Sequence, residues 1–159
     1  MATPEPPQTA GFELPLLLFA GFRSLIDALH AELAAQGHPD VRPAYGFAMQ
    51  VIGPHGATAS ELGRRLGISK QAAGTTVDRL VNLGSAERAA DSADGRRKLI
   101  RLTPRGVDSL VRSAAIFEDL RAQWAAALGP ERLRELESSL RTMAPHGTFR
   151  LDVPGWFGA

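Results

Sequence analysis

The chain of 159 residues contains no cysteine. That excludes disulfides, thiolate metal ligation and a thiol redox switch, and it fits a reducing compartment, so a cytoplasmic location is the expectation. No apolar run approaches the roughly 20 residues needed to cross a bilayer, and no membrane partner is expected. The first eleven residues are acidic and proline-rich, lack the basic start of a signal peptide and read as a flexible arm. His30, His38, His55 and His146 show no metal-ligand spacing, so neither a metal nor another cofactor is expected. A nucleophile elbow, a phosphate-binding glycine loop and paired carboxylates with a base partner are missing too. No catalytic residue stands out, and the chain does not read as an enzyme.

What is present is a concentration of positive charge. Residues 54–105 hold ten Lys or Arg against five acids, whereas the remainder holds eight bases and twelve acids, so an overall charge of +1 conceals a basic segment in an acidic protein. Such a segment is the electrostatic footprint of a surface that faces phosphates.

Along the chain, residues 14–33 place Leu18, Phe22, Leu25, Ile26, Leu29 and Leu33 at spacings of three and four, the pattern of an amphipathic helix. Pro15 fits its first turn. Gly37-His38-Pro39-Asp40 ends this helix, and a shorter one is predicted over 42–52 with Tyr45, Ala48, Met49 and Ile52 buried. Thr58 and Glu61 then form a capping box, which starts a helix reaching Leu66. Gly67 supplies the positive φ of a tight interhelical turn, and Ser69 caps a helix over 70–83 whose inward residues include Ala73, Val77 and Leu80. Gly84 lies just past its end.

Residues 86–90 and 98–102 read as short strands joined by a tip that contains Asp94-Gly95-Arg96-Arg97. Thr103 followed by Pro104 caps a long helix to about residue 128, with a stripe of Val107, Leu110, Val111, Ala114, Phe117, Leu120, Trp124, Ala127 and Leu128. A last helix over 131–143 carries Leu133, Leu136, Leu140 and Met143. The fold class is therefore mainly α with a small β-wing: a winged helix-turn-helix over 54–103, and a helical dimerisation region over 12–53 and 104–143. In the tail, 144–159, Phe149, Trp156 and Phe157 favour packing on this chain or a partner subunit, while the prolines and glycines favour disorder. The apolar stripes exceed what one small winged domain can cover, which predicts a homodimer about a twofold axis.

From Glu61-Leu62 to Leu102-Thr103-Pro104-Arg105-Gly106 the chain resembles the multiple antibiotic resistance regulator (MarR) family. The matching parts are the capped Glu-Leu helix, Leu66-Gly67-Ile68-Ser69-Lys70-Gln71 at the turn, Val77-Asp78-Arg79-Leu80 before a glycine, the Asp-x-Arg wing tip and the Leu-Thr-x-x-Gly opening of the long helix. Helix order extends the resemblance over residues 12–143.

The resemblance implies a homodimer that binds a palindromic operator in double-stranded DNA, usually represses, and often lets go when a small aromatic or anionic ligand binds. It implies that the helix over 70–83 enters the major groove, where Ser69, Lys70, Gln71, Thr75 and Thr76 reach base edges or phosphates. Arg64, Arg65 and Arg79 are then phosphate contacts, Arg96 and Arg97 enter the minor groove, Lys98 holds the backbone, and Asp94 braces the wing. A ligand pocket would draw on Phe22, His38, Arg42, Tyr45 and Trp124. Gly63 stands where the family usually carries Ala, and Gly74 lies mid-way along the recognition helix; each should cost about 0.5–1 kcal/mol relative to Ala. Ser85 replaces a larger residue and is expected to loosen the base of the wing. These departures keep a second reading open, a ligand- or protein-binding winged-helix module without DNA binding.

Overall fold

The computed structural model describes residues 10–90 and 93–144. In chain order the elements are α1 (Ala10–Ala35), α2 (Pro43–Ile52), α3 (Ala59–Leu66), α4 (Lys70–Asn82), β1 (Ala86–Ala90), β2 (Lys98–Leu102), α5 (Pro104–Leu128) and α6 (Pro130–Met143). The C-terminal tail lies outside the described residues.

Local chemistry sets most of these boundaries. The Thr58 hydroxyl accepts from the Glu61 amide at 3.2 Å while the Glu61 carboxylate accepts from the Thr58 amide at 2.8 Å, closing the capping box that starts α3. Gly67 ends α3 in the left-handed region at φ 68°, where a side chain would be strained. Ser69 caps α4 by accepting from the Ala72 amide at 3.1 Å. Thr103 caps α5, with Pro104 in the first turn.

α1 departs from the sequence reading. It begins before residue 14, taking in the last two residues of the predicted arm, and Pro15 lies inside it rather than in its first turn. A proline there leaves one helical hydrogen bond unmade.

The two strands pair antiparallel, with Ala86 opposite Leu102 and Ala90 opposite Lys98. Ala57 adds an isolated bridge to Ile100, its amide donating at 3.0 Å and its carbonyl accepting at 2.8 Å, so the segment before α3 borders the wing.

Two cores result. The larger joins Leu62, Leu66, Ala73, Val77, Leu80, Ala86 and Ile100 to Ala48, Met49 and Ile52. α2 thus shares the core of the winged unit, where Leu110 of α5 also packs. Full burial of each large aliphatic side chain here stabilises by about 1.5–3 kcal/mol. The smaller core holds only Leu29, Leu33 and Ile116, from α1 and α5.

On α5 the face buried within the chain is Gly106, Ser109, Ser113 and Ile116, not the predicted stripe. Small side chains let α5 approach its neighbours closely. Of the stripe, Leu110, Phe117, Leu120 and Trp124 are half-buried, while Val107, Val111, Ala114, Ala127 and Leu128 are exposed. α1 behaves alike: Ile26, Leu29 and Leu33 are buried, but Leu18 and Phe22 are exposed, as are Phe12, Leu14, Leu16, Leu17 and Phe19. α6 buries Leu133 alone and is tied to α5 by a two-pronged ion pair, Arg121 to Glu137, at 2.6 and 3.1 Å.

Candidate nucleic-acid interface

The helix-turn-helix depends on one close approach. A Cβ on Gly63 would lie 2.9 Å from the Ile68 carbonyl oxygen and 3.4 Å from that of Ser69, so α3 packs against its own turn where alanine would clash. The expected cost of Gly63 is thus reversed: backbone proximity requires it. Gly74 differs, because a Cβ there would meet nothing within 4 Å. Ser85 does not loosen the wing either. It is buried, its carbonyl accepts from the Thr103 amide at 3.1 Å, and its backbone lies hard against Gly106.

Between α3, α4 and the wing runs a groove of about 590 Å³ whose lining includes Arg64, Lys70, Arg88, Arg97 and Lys98, with Glu61 as its acid. Arg64 comes from α3, Lys70 from α4, and Arg88, Arg97 and Lys98 from the two strands of the wing and its tip. Lys70, Gln71, Thr75 and Arg79 are exposed on α4 and Thr76 is half-buried, while Ala73, Val77 and Leu80 hold the opposite side in the core. The Thr75 and Thr76 hydroxyls donate to the carbonyls of Gln71 and Ala72, at 3.2 and 3.1 Å, within α4 itself. The Ser69 hydroxyl is engaged in capping.

At the wing, the Asp94 carboxylate accepts from the Arg96 amide at 3.1 Å and the Asp94 carbonyl from the Arg97 amide at 2.9 Å. Asp94 therefore tightens the tip as a brace would. The Arg96 side chain stands exposed at that tip. Arg97 is placed otherwise: its guanidinium turns back across the groove and pairs with Glu61 at 3.0 Å. The Thr58 amide and hydroxyl, and then Arg97, hold the Glu61 carboxyl below the usual carboxylate range. Arg65, though exposed, is also engaged, donating to the Val51 carbonyl at 3.1 Å and closing the C-terminal end of α2.

Arg88 is a groove residue that the sequence reading left unassigned; it pairs with Asp78 of α4 and so ties β1 to that helix. Sequence offers little signal for it, since β1 presents Glu87 and Arg88 as neighbouring exposed charges with no local hint of which one faces α4.

The five predicted pocket residues lie on α1, the α1–α2 turn, the start of α2 and α5. Phe22 lies 13 residues before the end of α1, about 20 Å along its axis. His38 is buried in the α1–α2 turn, Arg42 is exposed at the N-cap of α2, and Tyr45 packs on the winged core. Trp124 instead lines an apolar cleft with Leu25, Phe117, Leu133, Leu136 and Leu140. Among the described residues no cluster of acids and histidines could hold a metal ion, and no helix is long and apolar enough to cross a membrane.

Residues 40–97 match the sequence model of the MarR family. No match to a curated protein sequence was found. Among solved structures, the chain resembles Streptococcus pneumoniae FabT in complex with DNA at 16% identity and TM-score 0.72, over 84% of this chain and 94% of that one. It resembles wild-type apo MarR from E. coli at 23% identity and TM-score 0.64, over 82% and 96% of the two chains. A Mycobacterium tuberculosis MarR family protein in complex with p-aminosalicylic acid is similar at 23% identity and TM-score 0.59, over 82% and 98%.

Proposed function

We propose that this chain, whose residues 40–97 match the MarR family, is a member of that family and a sequence-specific double-stranded DNA-binding transcriptional regulator that acts as a homodimeric repressor. The observation that carries this reading is the groove in which α3, α4 and the wing converge their cations beside an α4 whose outer face is exposed. α4 enters the major groove. Lys70 and Gln71 meet base edges or phosphates, the Thr75 and Thr76 methyls are suited to thymine, and Ser69 sets the helix start at the backbone. Arg64, Arg79 and Lys98 hold phosphates, and Arg96 enters the minor groove from the braced tip.

The homodimer is supported by α1, whose first half is apolar on every side yet exposed, Leu16 and Leu17 at 66% and 67%. A helix hydrophobic all round belongs inside a core, and a second copy supplies one. In domain terms, 43–103 then forms the DNA-binding unit and α1, α5 and α6 the dimerisation scaffold. A small aromatic or anionic ligand releases the DNA, in keeping with the p-aminosalicylic acid and p-coumaroyl-CoA bound by two similar proteins.

Selection of bound sequences from random duplex DNA tests this. A palindrome with half-sites one turn apart is expected, and Arg96→Ala should weaken its binding about tenfold. Absence of any salt-sensitive DNA binding would sink the reading. The engaged side chains of Arg65, Arg88 and Arg97 favour a second one, a ligand- or protein-binding module without DNA, which calorimetry would reveal as ligand affinity alone.

A further inference from the structure

The turn between α1 and α2 is gripped by the first half of α5. His38, only 4% exposed, sets its Nε2 2.8 Å from Asp108 Oδ2. The same Asp108 oxygen accepts from Arg112 Nε at 2.8 Å, and Arg112 Nη1 donates to the Gln36 side chain at 3.3 Å. One turn earlier on α5, Arg105 donates to the Gly37 carbonyl at 3.2 Å. Arg112 first, and then His38, hold the Asp108 carboxyl below its ordinary range, so the acceptor stays charged at neutral pH.

The position of this cluster gives it leverage. On one side of it lies the α1–α5 core of Leu29, Leu33 and Ile116; on the other lies the winged core, to which α2 contributes. Val41, three residues after His38, packs against both. α5 itself continues from β2 through Thr103, so the wing and the scaffold share a backbone here. Apolar packing alone is non-directional. A buried imidazole bonded to a fixed carboxylate is directional, and it holds the seam at one angle.

The geometry points to His38, Asp108 and Arg112 as positioning residues that set the angle between the winged unit and the α1–α5 scaffold, and hence the separation of the two recognition helices in the dimer. This rests on the DNA-binding reading above. A base pair adds about 3.4 Å of duplex, so a seam held at one angle selects one half-site spacing.

The experiment is gel-shift titration of the full chain against palindromes whose half-sites are moved together or apart one base pair at a time. The unaltered protein should show one optimum, with affinity about tenfold lower one base pair to either side. His38→Ala and Asp108→Ala should flatten that optimum to within about threefold, without changing dimer mass or the salt dependence set by phosphate contacts. His38→Gln, whose side-chain amide can still donate to Asp108, should restore it. If His38→Ala fails to fold, Asp108→Ala still decides, because that side chain is 47% exposed. Equal loss at every spacing, or a sharp optimum retained in both variants, would overturn the positioning role while leaving the DNA-binding reading intact. No palindrome bound by the unaltered protein would fail the reading itself, and the positioning role with it.

Discussion

The winged unit and the α1–α5–α6 scaffold are both helical and both apolar, yet they keep their hydrophobic residues differently. The winged unit encloses its own core, with Leu62, Leu66 and Leu80 fully buried. The scaffold buries Leu29, Leu33, Ile116 and Leu133 and leaves Phe12, Leu14, Leu16, Leu17, Val111 and Met143 outside. The first encloses its apolar residues and the second leaves many of them at the surface. An apolar residue in the winged unit contributes to the stability of a single subunit, whereas in the proposed homodimer one on the outer scaffold contributes to association.

The largest effect that probes this contrast is truncation. Leu66→Ala should destabilise by about 2–5 kcal/mol in denaturant unfolding, through lost burial and a cavity. Leu17→Glu should leave the winged unit folded by far-ultraviolet circular dichroism but shift the mass measured by light scattering to that of one subunit. A monomeric unaltered protein would break the comparison.

Next come the glycines. Gly63→Ala should cost about 1–3 kcal/mol because the Ile68 carbonyl must move, whereas Gly74→Ala should stabilise by about 0.5–1 kcal/mol in the same denaturation assay. These two positions read alike in sequence. Both are glycines inside helices, and only the turn folded against α3 separates them.

The wing arginines come third, and they sharpen the contrast on the DNA side. Arg96→Ala should lower the slope of log affinity against log salt by about 0.9 if its contact reaches phosphate. Arg97→Ala should lower that slope less and affinity modestly, since its guanidinium is already matched by Glu61 and acts as a strut across the groove. Equal slopes for the two variants would return Arg97 to the reading drawn from sequence.

The smallest effect is a pH dependence in the scaffold. Burial, as the leading cause, lowers the pKa of His30 on α1 from the ordinary 6.5, so folding favours its neutral form. The stability this contributes is complete above about 6.5 and is lost as pH falls through the lowered folded value. Unfolding measured between pH 7 and 5 should show that decline, and His30→Gln should remove its share. The carboxyls of Glu61, Asp108 and Glu137 are also held low, so their contributions fall away only in more acidic solution.

Much of the winged unit was legible because its signals are local. A capping box spans four residues, a left-handed glycine one, and an Asn- or Asp-braced tip three, so Thr58, Gly67 and Asp94 carry their geometry in the sequence. A ligand pocket is harder to read than a cap, because it requires residues from distant turns to converge. Phe22, His38, Arg42, Tyr45 and Trp124 are each plausible by type, but only docking of α1 on α5 brings the Trp124 ring beside Gly21, next to Phe22, while His38 lies in the α1–α2 turn. The α5 stripe shows the same limit: periodicity reports that a face is apolar, not which neighbour covers it.

By itself, the sequence determined element order, strand positions, helix caps and the concentration of positive charge from residue 54 to 105, since these depend on neighbours a few residues apart. Only the tertiary structure decided that α2 belongs to the winged core, that Arg65 and Arg97 are turned onto Val51 and Glu61, and that His38 meets Asp108 across 70 residues of chain. Side-chain partners far apart in the chain are chosen by packing, and packing exists only once the helices have docked.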